Sequence, residues 1–228
     1  MIVRMGLIQK RADLGVAEFR QHWRDRHGPL AGRLPGLRGY HQNHVVDRRQ
    51  RAINHPRGSL EVDGFSQLWF DDLPSMAAAF ASEPVAALAD DEANLIGDLK
   101  LITALPRVVI PTPAGVPLLK RMSTLKRRPD ISPEVFQREW FDVHSALIKR
   151  LPQVMGYTQN LVFDRALGRN RPAAYEAMPI DGIVELWFRD GDGLDAAFGS
   201  DAGRTLMSHA GEFVAEISTF LVETHVVV

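Results

Sequence analysis

The 228-residue chain contains no cysteine, which excludes disulfide bonds, thiolate metal sites and a cysteine nucleophile. Neither sign of charge is in excess, because 27 Lys and Arg residues face 28 Asp and Glu residues. This balance argues against a general nucleic-acid-binding protein, which usually has a basic excess. The chain also lacks any apolar run of about 20 residues, the length that a membrane-spanning helix requires. Its start, MIVRMGLIQKR, has too short an apolar stretch for a secretory signal, so we expect a cytoplasmic protein.

The most informative feature that is present is an internal duplication. Residues 4–47 align without a gap with residues 121–164, and the offset then grows from 117 to 118 residues. The identical pairs include Phe19/Phe136, Trp23/Trp140, His27/His144, Leu34/Leu151, Tyr40/Tyr157 and Gln42/Gln159. A repeat this long indicates two duplicated domains. The prolines of PTPAGVP, at 111–117, interrupt regular structure, so we predict one domain over 1–112 and another over 118–228.

Each half has the pattern βαββαβ. Strands are predicted over 3–9, 39–46, 65–70 and 101–110, and in the second half over 121–126, 156–163, 183–188 and 219–228. Helices are predicted after Asp13 and Asp130, and again over 74–97, with a break near Pro84, and over 193–215. This order is the ferredoxin-like α+β arrangement. A single unit would leave one face of its sheet uncovered, so we expect the two units to pack sheet to sheet within the chain.

The segment FRQHWRDRHGPLAGRLPGLRGY, residues 19–40, resembles the EthD family of the dimeric α/β-barrel superfamily. The matching features are Trp23, His27, Pro29-Leu30, Leu34-Pro35-Gly36 and Tyr40. The second half keeps Trp140, His144, Leu147, Leu151-Pro152 and Tyr157, and departs at Ser145-Ala146 and Gln153. The resemblance implies a pseudo-dimeric barrel formed by one chain, which does not require a second copy but leaves a homodimer open. The superfamily includes cofactor-free isomerases, decarboxylases and oxygenases as well as haem peroxidases, so the fold alone does not name the reaction.

His27 and Tyr40 are the leading candidates for chemistry. His27 lies on the same helical stripe as Phe19 and Trp23, so its ring is expected to point toward the sheet, where it could move protons near neutral pH. The alternative is a structural histidine that stabilises the helix end. Tyr40 shares a strand face with His44, and it could hold an oxyanion or be a buried ring with one hydrogen-bond partner.

Resemblance to methylmuconolactone isomerases implies a further histidine in the loop after the second strand, a position that His55 could fill. Those enzymes also use a cysteine on the third strand, which this chain lacks. The predicted catalytic set is therefore His27, Tyr40 and His55, with His144 and Tyr157 as second-half equivalents. The predicted substrate-binding residues are Phe19, Trp23, His44, Arg48 and Leu68.

No metal site is expected. His22 and His27 are five residues apart, which separates them by about 140° around an α-helix, so they should not share an ion. We expect an enzyme without a cofactor that uses His/Tyr acid–base chemistry, of the isomerase, decarboxylase or oxygenase type. Its small-molecule substrate would be an apolar oxygenated ring compound such as an aromatic, a lactone or a polyketide-like metabolite. Two alternatives stay open: a haem enzyme with His144 or His209 as axial ligand, and a non-catalytic ligand-binding protein.

Overall fold

The computed structural model describes residues 1–169 and 171–228. The elements of the first half are β1 (Ile2–Lys10), α1 (Val16–His22), a π-helical turn (Trp23–His27), α2 (Gly28–Ala31), β2 (Gly39–Asp47), β3 (Gly64–Phe70), α3 (Leu73–Phe80), α4 (Pro84–Leu95) and β4 (Ile96–Ile110). Those of the second half are β5 (Leu119–Arg127), α5 (Pro133–Arg138), a π-helical turn (Glu139–His144), α6 (Ser145–Ile148), β6 (Val154–Leu167), a 3₁₀ turn (Tyr175–Ala177), β7 (Gly182–Phe188), α7 (Gly191–Gly199), α8 (Asp201–Phe213) and β8 (Val214–Val226).

The eight strands form one closed barrel in the order β1-β3-β2-β8-β5-β7-β6-β4. Each half contributes a four-stranded ferredoxin-like sheet, and the antiparallel pairs β2–β8 and β4–β6 join the halves by backbone hydrogen bonds. Alternate side chains fill the barrel, among them Met5, Phe65, Met122 and Phe220, while the helices cover the outside. The predicted α+β pseudo-dimer of two ferredoxin-like repeats is thus confirmed, and closure removes the free strand edges.

Three strand boundaries differ from the sequence expectation. β4 begins at Ile96 and β8 at Val214, because α4 and α8 pass directly into the strands without a turn residue to mark the change. β6 continues to Leu167, because its last residues pair with the early part of β4, including Leu101 with Ala166. Strand length in this barrel is therefore set by partners that are distant in sequence.

The long loops that follow β2 and β6 cross between the halves. In the first loop, the Pro56 carbonyl accepts a hydrogen bond of 3.0 Å from the Ile217 amide, and Gln50 donates one of 2.7 Å to the Ile217 carbonyl. In the second loop, the Gly168 amide donates one of 2.7 Å to Leu99. Each half's loop therefore borders the helical face of the other half.

None of the helices within the described ranges combines the length and the apolar character that crossing a membrane requires.

Candidate functional site

A cavity of about 40 Å³ lies between the helices and the barrel wall of the first half. It is large enough for roughly two or three water molecules. The polar side chains that line it are those of Arg4, His27, Tyr40, Ser66, Glu92 and Arg169. Apolar walls come from Leu68, Leu88, Leu99 and neighbouring residues. Three of the residues singled out from the sequence, His27, Tyr40 and Leu68, thus lie together at one cavity with mainly apolar walls.

Asp91 on α4 orients His27. The Nδ1 atom of buried His27 lies 3.0 Å from Oδ2 of Asp91, and Nε2 of His22 lies 2.8 Å from Oδ1 of the same carboxylate. Because a carboxylate only accepts, Nδ1 of His27 carries the proton and the neutral ring has its free lone pair on Nε2. Burial lowers the pKa of His27 below its ordinary value of 6.5, with Glu92 and Asp91 acting in the opposite direction. The neutral ring is therefore a base at neutral pH.

The π-helical turn brings His22 and His27 to one carboxylate. The 140° separation expected from an α-helix was wrong here, because the amide of Gly28 bonds to the carbonyl of Trp23, five residues earlier. A turn of this kind widens the helix and puts residues i and i+5 on one side. Gln42 stabilises the turn by donating a hydrogen bond of 2.7 Å to the same Trp23 carbonyl.

The Tyr40 hydroxyl is a hydrogen-bond donor for which the described part of the chain provides no acceptor. Its oxygen accepts hydrogen bonds of 3.2 Å from the Trp23 indole and from the Gln42 amide. Both contacts are donated to Tyr40, so the hydroxyl hydrogen is left to point at an acceptor in the cavity. Burial raises the pKa of Tyr40 to about 12, which keeps this hydrogen in place at neutral pH.

The other predicted substrate-binding residues of the helix and strand lie behind Tyr40. The ring centroid of Trp23 lies 5.4 Å from that of Phe19 and 4.6 Å from that of His44. All three are buried, and none lines the cavity. They pack together behind Tyr40, to which the Trp23 indole donates its hydrogen bond.

His55 and Arg48 lie away from this cavity. Nε2 of His55 faces Gly211 on α8, because the loop that carries it crosses to the second half. Arg48 pairs with Asp63 at the surface and donates a hydrogen bond of 3.1 Å to the Val62 carbonyl. The predicted convergence of His55 with His27 and Tyr40, and the placement of Arg48 at the substrate, do not match this structure.

Four cavity residues and the orienting carboxylate were not identified from the sequence. Arg4 and Ser66 are on strands, Asp91 and Glu92 are on α4, and Arg169 comes from the second half. Arg169 pairs with Glu92 at 2.6 Å. Two sequence signals were the identity of Arg4 with Arg121 and, at the offset of 118, that of Arg169 with Arg51, while Ser66, Asp91 and Glu92 have different residues at the equivalent positions.

The second half has a matching cavity of about 40 Å³, lined by His144 and Tyr157. Tyr157 accepts hydrogen bonds of 3.0 Å from Trp140 and 2.9 Å from Gln159, as Tyr40 does from its own partners. The partner of His144 differs, however: its Nδ1 lies 3.3 Å from Nδ1 of His209. The hydrogen bonds to the tyrosine hydroxyl are therefore the same in both halves. The partner of the histidine Nδ1 atom is a carboxylate in the first half and an imidazole in the second.

The residues of this second cavity do not fit a haem. The rings of His144 and His209 stack on each other with centroids 5.5 Å apart, and both also pack on Phe213. The cavity of about 40 Å³ is also too small for a porphyrin, since pockets for much smaller organic ligands usually measure about 300–1,000 Å³.

Wider hollows occur at the two ends of the barrel, with volumes of about 220 and 460 Å³. Their principal charged side chains are paired, Lys126 with Glu216 at 2.7 Å and Lys120 with Glu185 at 2.6 Å. The first-half cavity differs from these hollows and from the second-half cavity in that a carboxylate contacts the Nδ1 atom of its histidine.

The fold is shared with several solved structures. An anthrone oxidase-like protein matches with a TM-score of 0.65 at 9% identity, covering 99% of this chain and 93% of that one. A candidate monooxygenase from Lactobacillus acidophilus NCFM matches with a TM-score of 0.57 at 10% identity, covering 99% and 94%. A dye-decolorizing peroxidase from Bacteroides thetaiotaomicron VPI-5482 matches with a TM-score of 0.53 at 7% identity, covering 97% and 92%. At such identities these likenesses concern the fold alone.

No curated protein matches the sequence of this chain. The model of the EthD domain matches it twice, over residues 11–98 and 128–217. Each match lies within one ferredoxin-like half of the barrel, and together they cover most of the sequence, so the chain belongs to the EthD family as a tandem duplication of its domain.

Proposed function

We propose that the protein is an enzyme that moves a proton at a carbon next to a carbonyl, with His27 as the base and Tyr40 as the donor to the carbonyl oxygen. One observation carries the proposal. Within one cavity, Asp91 holds the His27 ring so that Nε2 is free, and the Tyr40 oxygen accepts two hydrogen bonds while its own hydrogen is unused. A base and a hydrogen-bond donor are the two groups that enolate formation needs.

In the proposed step, Nε2 of His27 removes the proton and the C–H electron pair moves through the carbon framework to the carbonyl oxygen. The Tyr40 hydroxyl donates a hydrogen bond to the resulting enolate oxygen and keeps its proton, because its pKa is raised to about 12. The proton then returns from His27 to carbon. Isomerisation, decarboxylation and spontaneous oxygenation all pass through such an enolate, and none of these steps needs a bound cofactor.

The apolar walls support an oxygenated ring compound as the substrate. A ring is larger than the present 40 Å³, so binding requires α4 and the π-helical turn, which Asp91 and His27 connect, to move together away from the barrel wall. The break between α3 and α4, at Ser82-Glu83, allows such a movement without disturbing the strands. Anthrone is a suitable probe because it is an enolisable ring ketone, and the fold is shared with an anthrone oxidase-like protein.

The test is the exchange of the anthrone methylene hydrogens in D₂O, followed by NMR, with oxygen uptake as a second readout. We expect the wild-type protein to accelerate exchange, and His27→Gln and Tyr40→Phe each to slow the protein-dependent rate by at least about tenfold. Tyr175→Phe is the matched control, because Tyr175 bonds to Asp181 at the barrel end, outside the cavity.

Exchange at the wild-type rate in both folded variants would exclude these roles for His27 and Tyr40. Binding of anthrone without any acceleration of exchange would instead support the ligand-binding alternative.

A further inference from the structure

Arg121 on β5 is a buried cation that makes no direct ion pair within the described residues; the carboxylate that acts on it from a distance is that of exposed Asp195, which lies 4.0 Å from Arg51. It is 3% exposed and lines the cavity of the second half. Its Nε and Nη1 atoms are buried and have no hydrogen-bond partner within the ranges that the structure describes. Burial lowers the pKa of Arg121 to about 9, so the side chain is still charged at neutral pH. An unpaired buried charge is costly, and such charges are normally paired.

The contacts of Arg121 leave the edge of its guanidinium free. The Cζ atom lies 4.2 Å from the ring centroid of Phe198, so the ring occupies one face of the planar group. The N–H bonds lie in the plane, where a carboxylate can accept two of them in parallel. The stacked aromatic ring thus orients the cation but does not satisfy its donors.

Comparison with the first half shows what is missing. Arg4 occupies the equivalent position and packs in the same way, with its Cζ atom 4.1 Å from the centroid of Phe80. There the carboxylate of Glu92 lines the same cavity and raises the pKa of Arg4 against the effect of burial. The residue of α8 equivalent to Glu92 is Ala210, which is apolar and also lines the second cavity. The second half therefore has the cation but no carboxylate among the residues that line its cavity, since Asp195, which acts on Arg121, lies outside that lining.

A second donor lies in the same cavity. The Tyr157 oxygen accepts from Trp140 and Gln159, which leaves its hydrogen unused. The remaining walls are mainly apolar, with Leu125, Ile148, Leu186, Leu206, Phe213 and Ile217 among them. The enclosed space of about 40 Å³ takes little more than a carboxylate, and the cavity is open on one side, so a short alkyl group would extend along the apolar wall toward the opening.

We propose that the second-half cavity is a binding site for a short-chain monocarboxylate, whose carboxylate pairs with Arg121 and accepts the Tyr157 hydrogen while its alkyl group packs on the apolar wall. The ligand supplies the hydrogen-bond acceptors that the buried Nε and Nη1 atoms of Arg121 lack, and it places a carboxylate inside the cavity, as Glu92 does in the first half. This site does not depend on the chemistry proposed at His27.

The test is a titration of the ¹⁵N-labelled protein with butyrate at constant ionic strength, with butyramide as the uncharged control of the same size. The indole N–H signals distinguish the two cavities, because the Trp140 indole bonds to Tyr157 and the Trp23 indole bonds to Tyr40. We expect butyrate to shift the Trp140 signal in a saturable manner and to leave the Trp23 signal unchanged. Butyramide should bind at least about tenfold more weakly, since it cannot form the charge-assisted pair.

Two variants test whether the charge of Arg121 binds the ligand. Arg121→Met removes the cation and keeps an apolar stem, and Ala210→Glu restores the carboxylate that the first half has. Both should weaken butyrate binding by at least about tenfold, whereas Arg4→Met, the equivalent change in the first half, should leave it unchanged. The proposal is overturned if butyrate does not shift the Trp140 signal, if butyramide binds equally well, or if folded Arg121→Met retains wild-type affinity.

Discussion

At the scale of single residues, the acidic and the basic side chain that flank the site occupy opposite positions in the two halves. The first half links His22 and His27 through the carboxylate of Asp91. At the equivalent positions the second half has Glu139, His144 and His209, so that an imidazole now lies between a carboxylate and an imidazole. Burial and the neighbouring His209 lower the pKa of His144 to about 3. Only His27 has a carboxylate directly on Nδ1, which is why we assign the base to the first half.

Asp91 is a positioning residue, and its removal should change both rate and pH dependence. Asp91 raises the pKa of His27 against the effect of burial, so Asp91→Asn should lower that pKa further. The base form would then persist to lower pH. We expect the acid limb of kcat/KM for anthrone exchange to move to lower pH, and kcat at neutral pH to fall by at least about tenfold because the ring is less well oriented.

The control for Asp91→Asn is His209→Asn, which alters the equivalent position of the second half and should leave the exchange rate and its pH profile unchanged. A profile for Asp91→Asn that coincides with that of the wild type would mean that the carboxylate does not act on His27.

At the scale of elements, a glycine on the third strand of each half accommodates a tryptophan from the π-helical turn. A Cβ atom added to Gly64 would overlap the ring of Trp23, and one added to Gly182 would overlap that of Trp140. The tryptophan is in turn a hydrogen-bond donor to the tyrosine of the site. Strand β3 therefore sets the position of Tyr40 through the space that it leaves for Trp23.

Gly64→Ala should destabilise the protein by about 1–3 kcal/mol, the usual cost of overpacking a core. It should also reduce anthrone exchange, because a displaced Trp23 no longer donates to Tyr40. Urea denaturation and the exchange assay measure the two effects. Gly199→Ala is the control, because a Cβ atom there meets nothing within 4 Å; equal stability of the two variants would contradict the packing argument.

At the scale of the whole molecule, a buried ion pair in the barrel bridges the two halves. Nζ of Lys120 lies 2.6 Å from Oε2 of Glu185, and it also donates to Asn43 and Gln67 of the first half. Gln67 donates a hydrogen bond of 2.9 Å to Glu185. The first-half equivalents of Lys120 and Glu185 are the uncharged Val3 and Gln67, so the pair is present in the second half only. Its polar partners on both sides fix how the halves meet.

Glu185→Gln should destabilise the protein by about 3–5 kcal/mol, because it leaves the Lys120 ammonium buried without a counterion. The double variant Lys120→Met/Glu185→Gln removes both charges and should recover most of that loss. Urea denaturation at pH 7 compares the three proteins. A loss in Glu185→Gln that persists undiminished in the double variant would show that the charge is not its cause.

The same pair predicts a pH dependence. Burial by itself raises the pKa of Glu185. Lys120 and the surrounding amides have a larger effect in the opposite direction, so the pKa in the folded protein lies below the ordinary 4.5. A lowered carboxyl pKa contributes stability above pH 4.5 and loses it as the pH falls through the folded value. The wild type should therefore lose more stability than Glu185→Gln between pH 5 and the acid transition.

The sequence by itself determined the duplication, the βαββαβ order and the face on which each strand residue lies, including the shared face of Tyr40 and His44. The element order and the strand faces follow from apolar residues that repeat every two residues in a strand and every three to four residues in a helix. These repeats depend only on residues that are close together in the chain. The pairing of His27 with Tyr40 in one cavity could also be expected, because both recur at the same separation in the second half.

Only the tertiary structure decided which groups meet across the elements. The π-helical turn depends on a Gln42 amide that reaches it from β2, and the docking of α4 brings Asp91 to His27. Barrel closure sends the loop of His55 to the opposite half and brings Arg169 to Glu92. None of these contacts has a local sequence pattern, because each depends on where separate elements pack. The same packing leaves the Nε and Nη1 atoms of Arg121 without a hydrogen-bond partner among the described residues, which its sequence match to Arg4 did not indicate.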